Sequence, residues 1–238
     1  MSFGDLIIEI GRCFLHVPYK VGTLEAGGKE KLIVNFTQFD CFTFLETVLA
    51  LAKCAVHGRI TVGEFRRMLQ FIRYRGGVIA GYSSRLHYFT DWLRDNEQKK
   101  IVGDISRRLG GEPRRKKINY MTAHRSSYPA LKSENEFQKM LIVERNLSRR
   151  TFYVIGKNEV NQQKEKIKTG DIIAFLTEQE GLDVAHVGFA LWEGKKLHLL
   201  HASSKEGGVV VSAKTLVTYL KSNKKFTGII VARPLLVI

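Results

Sequence analysis

One cysteine in this chain stands where helix geometry would alter its chemistry. The stretch Phe39-Asp40-Cys41-Phe42-Thr43-Phe44-Leu45-Glu46-Thr47 reads as a helix start. Phe44, Leu45, Val48, Leu51, Ala52 and Ala55 recur every three or four residues and form one apolar stripe. Asp40 is of a type that caps helices, because its carboxylate accepts an orphan backbone N–H of the first turn. Cys41 then falls in that turn, where unpaired N–H groups and the helix dipole favour a thiolate over a thiol. Cys41 is therefore a candidate nucleophile; the competing role is that of a buried structural cysteine, common among free thiols.

Such a nucleophile needs a general base, normally histidine, and a third group that orients the imidazole. Of the seven histidines, His186 opens the strand-like run His186-Val187-Gly188-Phe189-Ala190-Leu191. Alternation places His186, Gly188 and Ala190 on one face and Val187, Phe189 and Leu191 on the other. The small residues beside His186 leave room for a helix end. The next run is Leu197-His198-Leu199-Leu200-His201. With Glu193-Gly194 as a two-residue hairpin loop, Trp192 pairs with Lys195 and His186 lies opposite His201, their Cβ atoms about 4.5–5.5 Å apart. A loop of the other parity exchanges His201 for His198, and Asp183, just ahead of the strand, is a further candidate orienter.

The elements that must hold these residues follow from periodicity and punctuation. Residues 3 to 15 read as a helix ended by Pro18, and Lys31 to Phe36 as a short strand. The Cys41 helix runs to about His57. Thr61 and Glu64 form a capping box for a helix carrying Phe65, Met68, Leu69 and Ile72 and ending near Gly76-Gly77. Residues 78 to 150 are less regular, with helices over His87–Glu97 and Ser133–Asn146. From Phe152 the period becomes that of strands, over residues 172–176, 186–191, 197–201, 209–211 and 228–231, with a short helix over Ser212–Leu220. Helices first and mostly antiparallel strands after make an α+β chain. No repeat or linker divides it. We read one domain over 1–238: a helical part with the nucleophile (1–76), an elaboration (77–150) and a sheet bearing the base (151–238).

The composition narrows the function classes. A chain of 238 residues with 44% hydrophobic content builds a core. The apolar runs Leu45–Ala52 and Gly228–Ile238 are too short to span a membrane. The start Met1-Ser2-Phe3-Gly4-Asp5 shows no secretion signal, which points to the cytoplasm, although a chain with its signal removed would look the same. Three cysteines without a C-x-x-C pair suggest neither a disulfide framework nor a zinc ribbon; Cys13 and Cys54 would pair only in an exported protein. Thirty-eight Lys and Arg against 23 acidic residues give a net charge of +15, which favours polyanionic partners. The basic residues are dispersed, apart from Arg114-Arg115-Lys116-Lys117, and no nucleic-acid-binding signature accompanies them.

Asp40-Cys41, Gly170-Asp171, His186-Val187-Gly188 and His201-Ala202-Ser203 resemble the NlpC/P60 superfamily of papain-like cysteine peptidases and amidases. Phe42-Thr43 replaces the usual Ser-Gly after the cysteine, a departure from the endopeptidase pattern. Gly22-Thr23-Leu24-Glu25, Ser84-Arg85-Leu86-His87-Tyr88-Phe89, Gly181-Leu182-Asp183-Val184 and His198-Leu199-Leu200-His201-Ala202-Ser203 extend the resemblance over nearly the whole chain, to the DUF1460 branch. That resemblance implies a papain-like core with the Cys41 helix packed on an antiparallel sheet. It implies N-acetylmuramoyl-L-alanine amidase activity on peptidoglycan fragments, with Cys41 as nucleophile, His186 as base and His201 as orienter. Tyr19 and Asp40 would border the reacting carbonyl, Tyr19 as a second oxyanion donor or as an aromatic core residue. Ser84, Arg85, His87, Asn119 and His124 are candidates for gripping sugar or peptide carboxylates, with a structural role the alternative for each. The implied chemistry needs no metal or organic cofactor and no obligate protein partner. Its substrate favours the periplasm or cell envelope, against the signal-less start. Two rivals remain: a γ-D-glutamyl endopeptidase, and a non-enzymatic basic module binding anionic polymer.

Overall fold

The helices begin where the sequence offers a side chain to cap them. In the computed structural model, which describes residues 1–25, 27–56, 58 and 61–236, Ser2 and Asp5 close a reciprocal capping box on α1 (Phe3–Arg12). Thr61 and Glu64 do the same for α3 (Val62–Arg73). Between them α2 (Cys41–Val56) starts directly after Asp40; His57, where the sequence places its end, lies outside the described residues, as do the last two residues of the run to Ile238. The remaining helices are α4 (Phe89–Gln98), α5 (Tyr120–Ala123), α6 (Glu134–Ser148), α7 (Val160–Gln163) and α8 (Leu216–Ser222).

The strands are β1 (Val102–Asp104), β2 (Glu112–Arg114), β3 (Phe152–Gly156), β4 (Ile172–Thr177), β5 (Val184–Glu193), β6 (Lys196–Ser203), β7 (Gly208–Val211) and β8 (Phe226–Pro234). They form one sheet in the order β2-β3-β8-β4-β5-β6-β7, with β1 paired to β8. All these pairings are antiparallel. The α+β reading therefore holds.

Both faces of the sheet are covered. On one, α2 lays Phe44, Leu45 and Val48 against Val187, Phe189 and Leu200, with the Phe44 and Phe189 rings edge-to-face at 6.1 Å. On the other, Phe175, Ala190 and Leu199 pack with Leu216 and Leu220 of α8. Every residue of β4 is buried as a result, which explains its unbroken apolar run. A third cluster, around Tyr82, Tyr88, Met121, Leu131 and Met140, lies within residues 77–150.

Four expectations are corrected. Helix α1 stops at Arg12, six residues before Pro18, and the chain reverses through a left-handed His16 at φ 70°. Lys31–Phe36 is not a strand: the Ile33 carbonyl accepts from Arg73 Nη1 at 2.6 Å and the Lys31 carbonyl from the Tyr74 hydroxyl at 3.1 Å. Side chains of α3 and its end thus satisfy backbone groups that a neighbouring strand would otherwise take. Strands β1 and β2 were not anticipated; β2 holds Pro113 and one residue of the basic run, and it sits at the sheet edge where proline is tolerated. Finally, α2 packs on the Val187/Phe189 face rather than on the face of His186 and Gly188, where a Cβ on Gly188 would meet His201 Cβ at 2.8 Å.

Candidate active site

Asp40 builds the start of α2. Its Oδ1 accepts from the N–H groups of Phe42 at 3.0 Å and Thr43 at 2.7 Å and from the Thr43 hydroxyl at 2.9 Å, and Thr43 Oγ1 in turn accepts from the Asp40 N–H at 3.0 Å. Thr43, in place of glycine, thus closes the cap. Cys41 is partly exposed beside it. The backbone N–H groups of Val187, Cys41 and Phe42 favour its thiolate electrostatically.

The base comes from the bulged start of β5. The β4–β5 register pairs Phe175 with His186 but Leu176 with Val184, so Ala185 is an extra residue. A bulge of this kind re-aims the neighbouring side chain. His186 consequently lines one cavity with Cys41, together with Tyr19, Asp40, His87, Phe89 and Asp183. Across the hairpin, Phe189 pairs with Leu200 and Glu193 with Lys196. The loop is therefore Gly194-Lys195, not Glu193-Gly194, with Gly194 at φ 59° where a two-residue hairpin accommodates glycine. The pairing slips by two residues from the expected register, which preserves the side-chain face. His201 lies diagonal to His186 instead of opposite it, and His186 Nε2 and His201 Nδ1 are 2.6 Å apart. His198 faces away, its Nδ1 against the Ser212 carbonyl at 2.9 Å. Asp183 does not hold His186: its carboxylate accepts from Thr90 N–H and hydroxyl, both at 2.8 Å, and ties α4 to β5.

Burial sets the protonation states. It pushes the Cys41 thiol up to about 12, helped by the Asp40 charge and opposed by the three backbone N–H groups. It lowers His186 to about 3, with His201 adding to the shift, and His201 to about 4 against an opposing pull from Glu206. The resting pair is then neutral thiol and neutral imidazole, so burial outweighs the helix-start effect expected for Cys41. Tyr19 is raised as well, chiefly by burial and then by Cys41 and Asp40, so its hydroxyl remains a donor.

The other expected residues divide. His87 reaches the cavity, with Nε2 against the Tyr82 carbonyl at 2.9 Å, and burial lowers it well below the usual histidine range. Ser84 and Arg85 do not line it: Ser84 Oγ donates to the Gly81 carbonyl at 2.6 Å, while the buried Arg85 donates to the Leu24 carbonyl at 3.0 Å and pairs with Glu25. Nor do Asn119, whose N–H donates to the Gly181 carbonyl at 3.1 Å, and His124, which is exposed and stacks on Tyr120 at 4.2 Å. These four hold local loops. Sequence reasoning missed Tyr219, whose ring lies 5.3 Å from that of His201; its place in the predicted helix before the last strand was the available signal. Cys13 and Cys54 are both free, one exposed and the other buried. Among the described residues, no three His, Cys, Asp or Glu side chains converge as metal ligands would.

The comparisons agree with this architecture. An N-acetylmuramoyl-L-alanine amidase from Bacteroides uniformis ATCC 8492 is 39% identical, with a TM-score of 0.93 over 98% of each chain. A Bacteroides fragilis protein provisionally named a xylanase is 41% identical, with a TM-score of 0.90 over 94% of this chain and 99% of that one. The Legionella pneumophila protein LPG0564, of the DUF1460 family, is 23% identical with a TM-score of 0.75 over 99% of this chain and 90% of its own, a likeness of fold alone. A search of curated proteins gives no match. The profile of the AmiA-like family, described as N-acetylmuramoyl-L-alanine amidase-like, matches residues 9–229, and the chain belongs to that family.

Proposed function

We propose that this protein is a cysteine amidase that hydrolyses the bond between N-acetylmuramic acid and L-alanine in peptidoglycan fragments. One observation carries the cysteine mechanism: Cys41 and His186 share a cavity while His186 Nε2 is bonded to His201, which leaves His186 Nδ1 for the thiol. The choice of the amide bond is supported by the family and by the likeness to the Bacteroides uniformis amidase. In this reading His186 Nδ1 takes the Cys41 proton as sulfur attacks the lactyl carbonyl. The oxyanion is met by the Cys41 N–H and the Tyr19 hydroxyl. His186 returns the proton to the leaving amine of L-alanine, then activates water to cleave the thioester.

In this reading the core is papain-like, of the NlpC/P60 kind, in a single domain with residues 77–150 added, and a substrate of this class favours the periplasm or cell envelope. A γ-D-glutamyl endopeptidase would use the same centre on a different bond. A glycosidase needs two carboxyl groups free to act on the sugar, whereas Asp40 and Asp183 in this cavity each accept hydrogen bonds from backbone N–H groups. Digestion of muropeptides with the wild type beside Cys41→Ala tests the reading by mass spectrometry. The expected product is a peptide headed by L-alanine, absent with the variant. Release by Cys41→Ala overturns the mechanism, cleavage inside the stem peptide overturns the bond, and salt-sensitive polymer binding without cleavage favours the basic module.

A further inference from the structure

The orienting histidine has an end that the mechanism leaves unexplained. His201 is fully buried, and its Nε2 has no hydrogen-bond partner among the described residues. Tautomer logic fixes what that atom carries. For His186 to accept a proton at Nδ1, its Nε2 must hold hydrogen and donate to His201 Nδ1, 2.6 Å away. A neutral imidazole has one donor and one acceptor nitrogen. His201 Nδ1 is then the acceptor, so its Nε2 holds hydrogen, and a buried donor of this kind calls for an acceptor.

A carboxylate is at hand. Glu206 Oε2 lies 3.9 Å from His201 Nε2. Glu206 sits in the turn joining β6 to β7, closed by the Ser203–Gly208 pair. Its N–H donates to Ser203 Oγ at 3.2 Å, and the adjoining Gly207 carbonyl accepts from the Tyr19 N–H at 2.9 Å. The backbone is thus fixed from two sides while the side chain remains exposed, lining a cavity of about 480 Å³ that His186 also borders. At 3.9 Å the carboxylate stands about 1 Å outside the usual charge-assisted hydrogen-bond range, and its side chain is exposed and not held by another partner among the described residues.

We propose that Glu206 is a positioning residue of the reaction: its carboxylate accepts the His201 Nε2–H and holds the His201–His186 pair in the tautomers that leave His186 Nδ1 free for Cys41. The inference rests on the proposed cysteine mechanism. The carboxylate also steadies the imidazolium formed when His186 takes the thiol proton. The other groups facing His201 are His186 from β5 and Tyr219 from α8. Lys205, Lys214, Lys224 and Lys225 line the same cavity as Glu206.

The test compares wild type, Glu206→Ala, Glu206→Gln and His186→Ala on a muramoyl peptide from pH 3 to 9, a range that takes in the lowered histidines, with thermal melting of each. Loss of the carboxylate removes a charge that favours a protonated pair. Glu206→Ala is therefore expected to lower kcat about tenfold at nearly constant KM and to move the acidic limb of kcat/KM down by about half a pH unit. Glu206→Gln keeps an acceptor oxygen, so it regains part of kcat but retains the shifted limb. Wild-type kcat with an unmoved limb in Glu206→Ala overturns the proposal. So does a lowered melting temperature with an unmoved limb, which marks simple support of the turn. Hydrolysis at the wild-type rate by His186→Ala overturns the underlying base assignment instead.

Discussion

Asp40 has two effects on Cys41 that oppose each other. Its carboxylate caps the first turn and fixes the sulfur's position, and its charge raises the thiol. Asn caps about as well as Asp, so Asp40→Asn separates the two. The variant is expected to keep its melting temperature within a degree or two and to alkylate faster with iodoacetamide near pH 8, as more thiolate forms. Mass spectrometry of the Cys41 peptide reads this apart from exposed Cys13; an unchanged pH profile would refute the charge effect. At this scale the sequence was most legible where residue types are scarce. Cys41 at a helix start and two histidines on adjacent strands stood out. Ser84, Arg85, Asn119 and His124 lie outside the Cys41 cavity, and polar density in a sequence looks the same whether it binds a ligand or ties a loop. Arg85 shows why: the carboxylates it meets belong to Glu25 and Glu30 of its own chain.

Elements were legible through their caps and less so where side chains replace strand pairing. The stretch 31–36 alternates like a strand, but Arg73 settles its conformation. Arg73 Nε donates to buried Glu46 at 2.6 Å and its Nη1 to the Ile33 carbonyl at 2.6 Å. Burial raises Glu46, with Arg73 opposing. Arg73→Met leaves that carboxyl without its partner and the Ile33 carbonyl without a donor, at an expected cost of about 3–5 kcal/mol. Urea unfolding checks this. The double variant Arg73→Met/Glu46→Leu should recover much of the loss, because no buried carboxyl remains; equal losses in both would show that the Ile33 contact dominates. In the hairpin, loop parity decided the face correctly, while the absolute register needed knowledge that Gly194, not Glu193, opens the turn.

Across the whole molecule, the order of helices then strands made the α+β class readable. The 77–150 region was not, since its cluster is assembled from short turns around aromatic residues rather than from periodic elements. The histidines give the fold a shared response to acid. Burial lowers His87, His186 and His201. Their unfolded counterparts take up protons near pH 6.5, so the unfolded chain binds more protons below that pH. The stability these groups contribute is complete above about 6.5 and is lost as pH falls towards the folded values. His201→Asn removes one such site. Its unfolding free energy is expected to fall less steeply than wild type between pH 6.5 and about 4, by up to about 1.4 kcal/mol per pH unit. Parallel curves in urea titrations would refute this.

Gly188 is held as glycine by the strand beside it. A Cβ there would stand 2.8 Å from His201 Cβ and 2.9 Å from Leu199 Cδ1. The first of these atoms is present in every residue but glycine, so the conflict does not depend on position 201 being histidine. Among relatives that share this hairpin, lineages are then free to exchange the polar residue at 201 while position 188 stays glycine. A branch that acquires a side chain at 188 must first shift the strands apart or reduce position 201 to glycine. Reconstructed ancestors test this: exchange of the histidine for another side chain at 201 should leave the glycine at 188 in place.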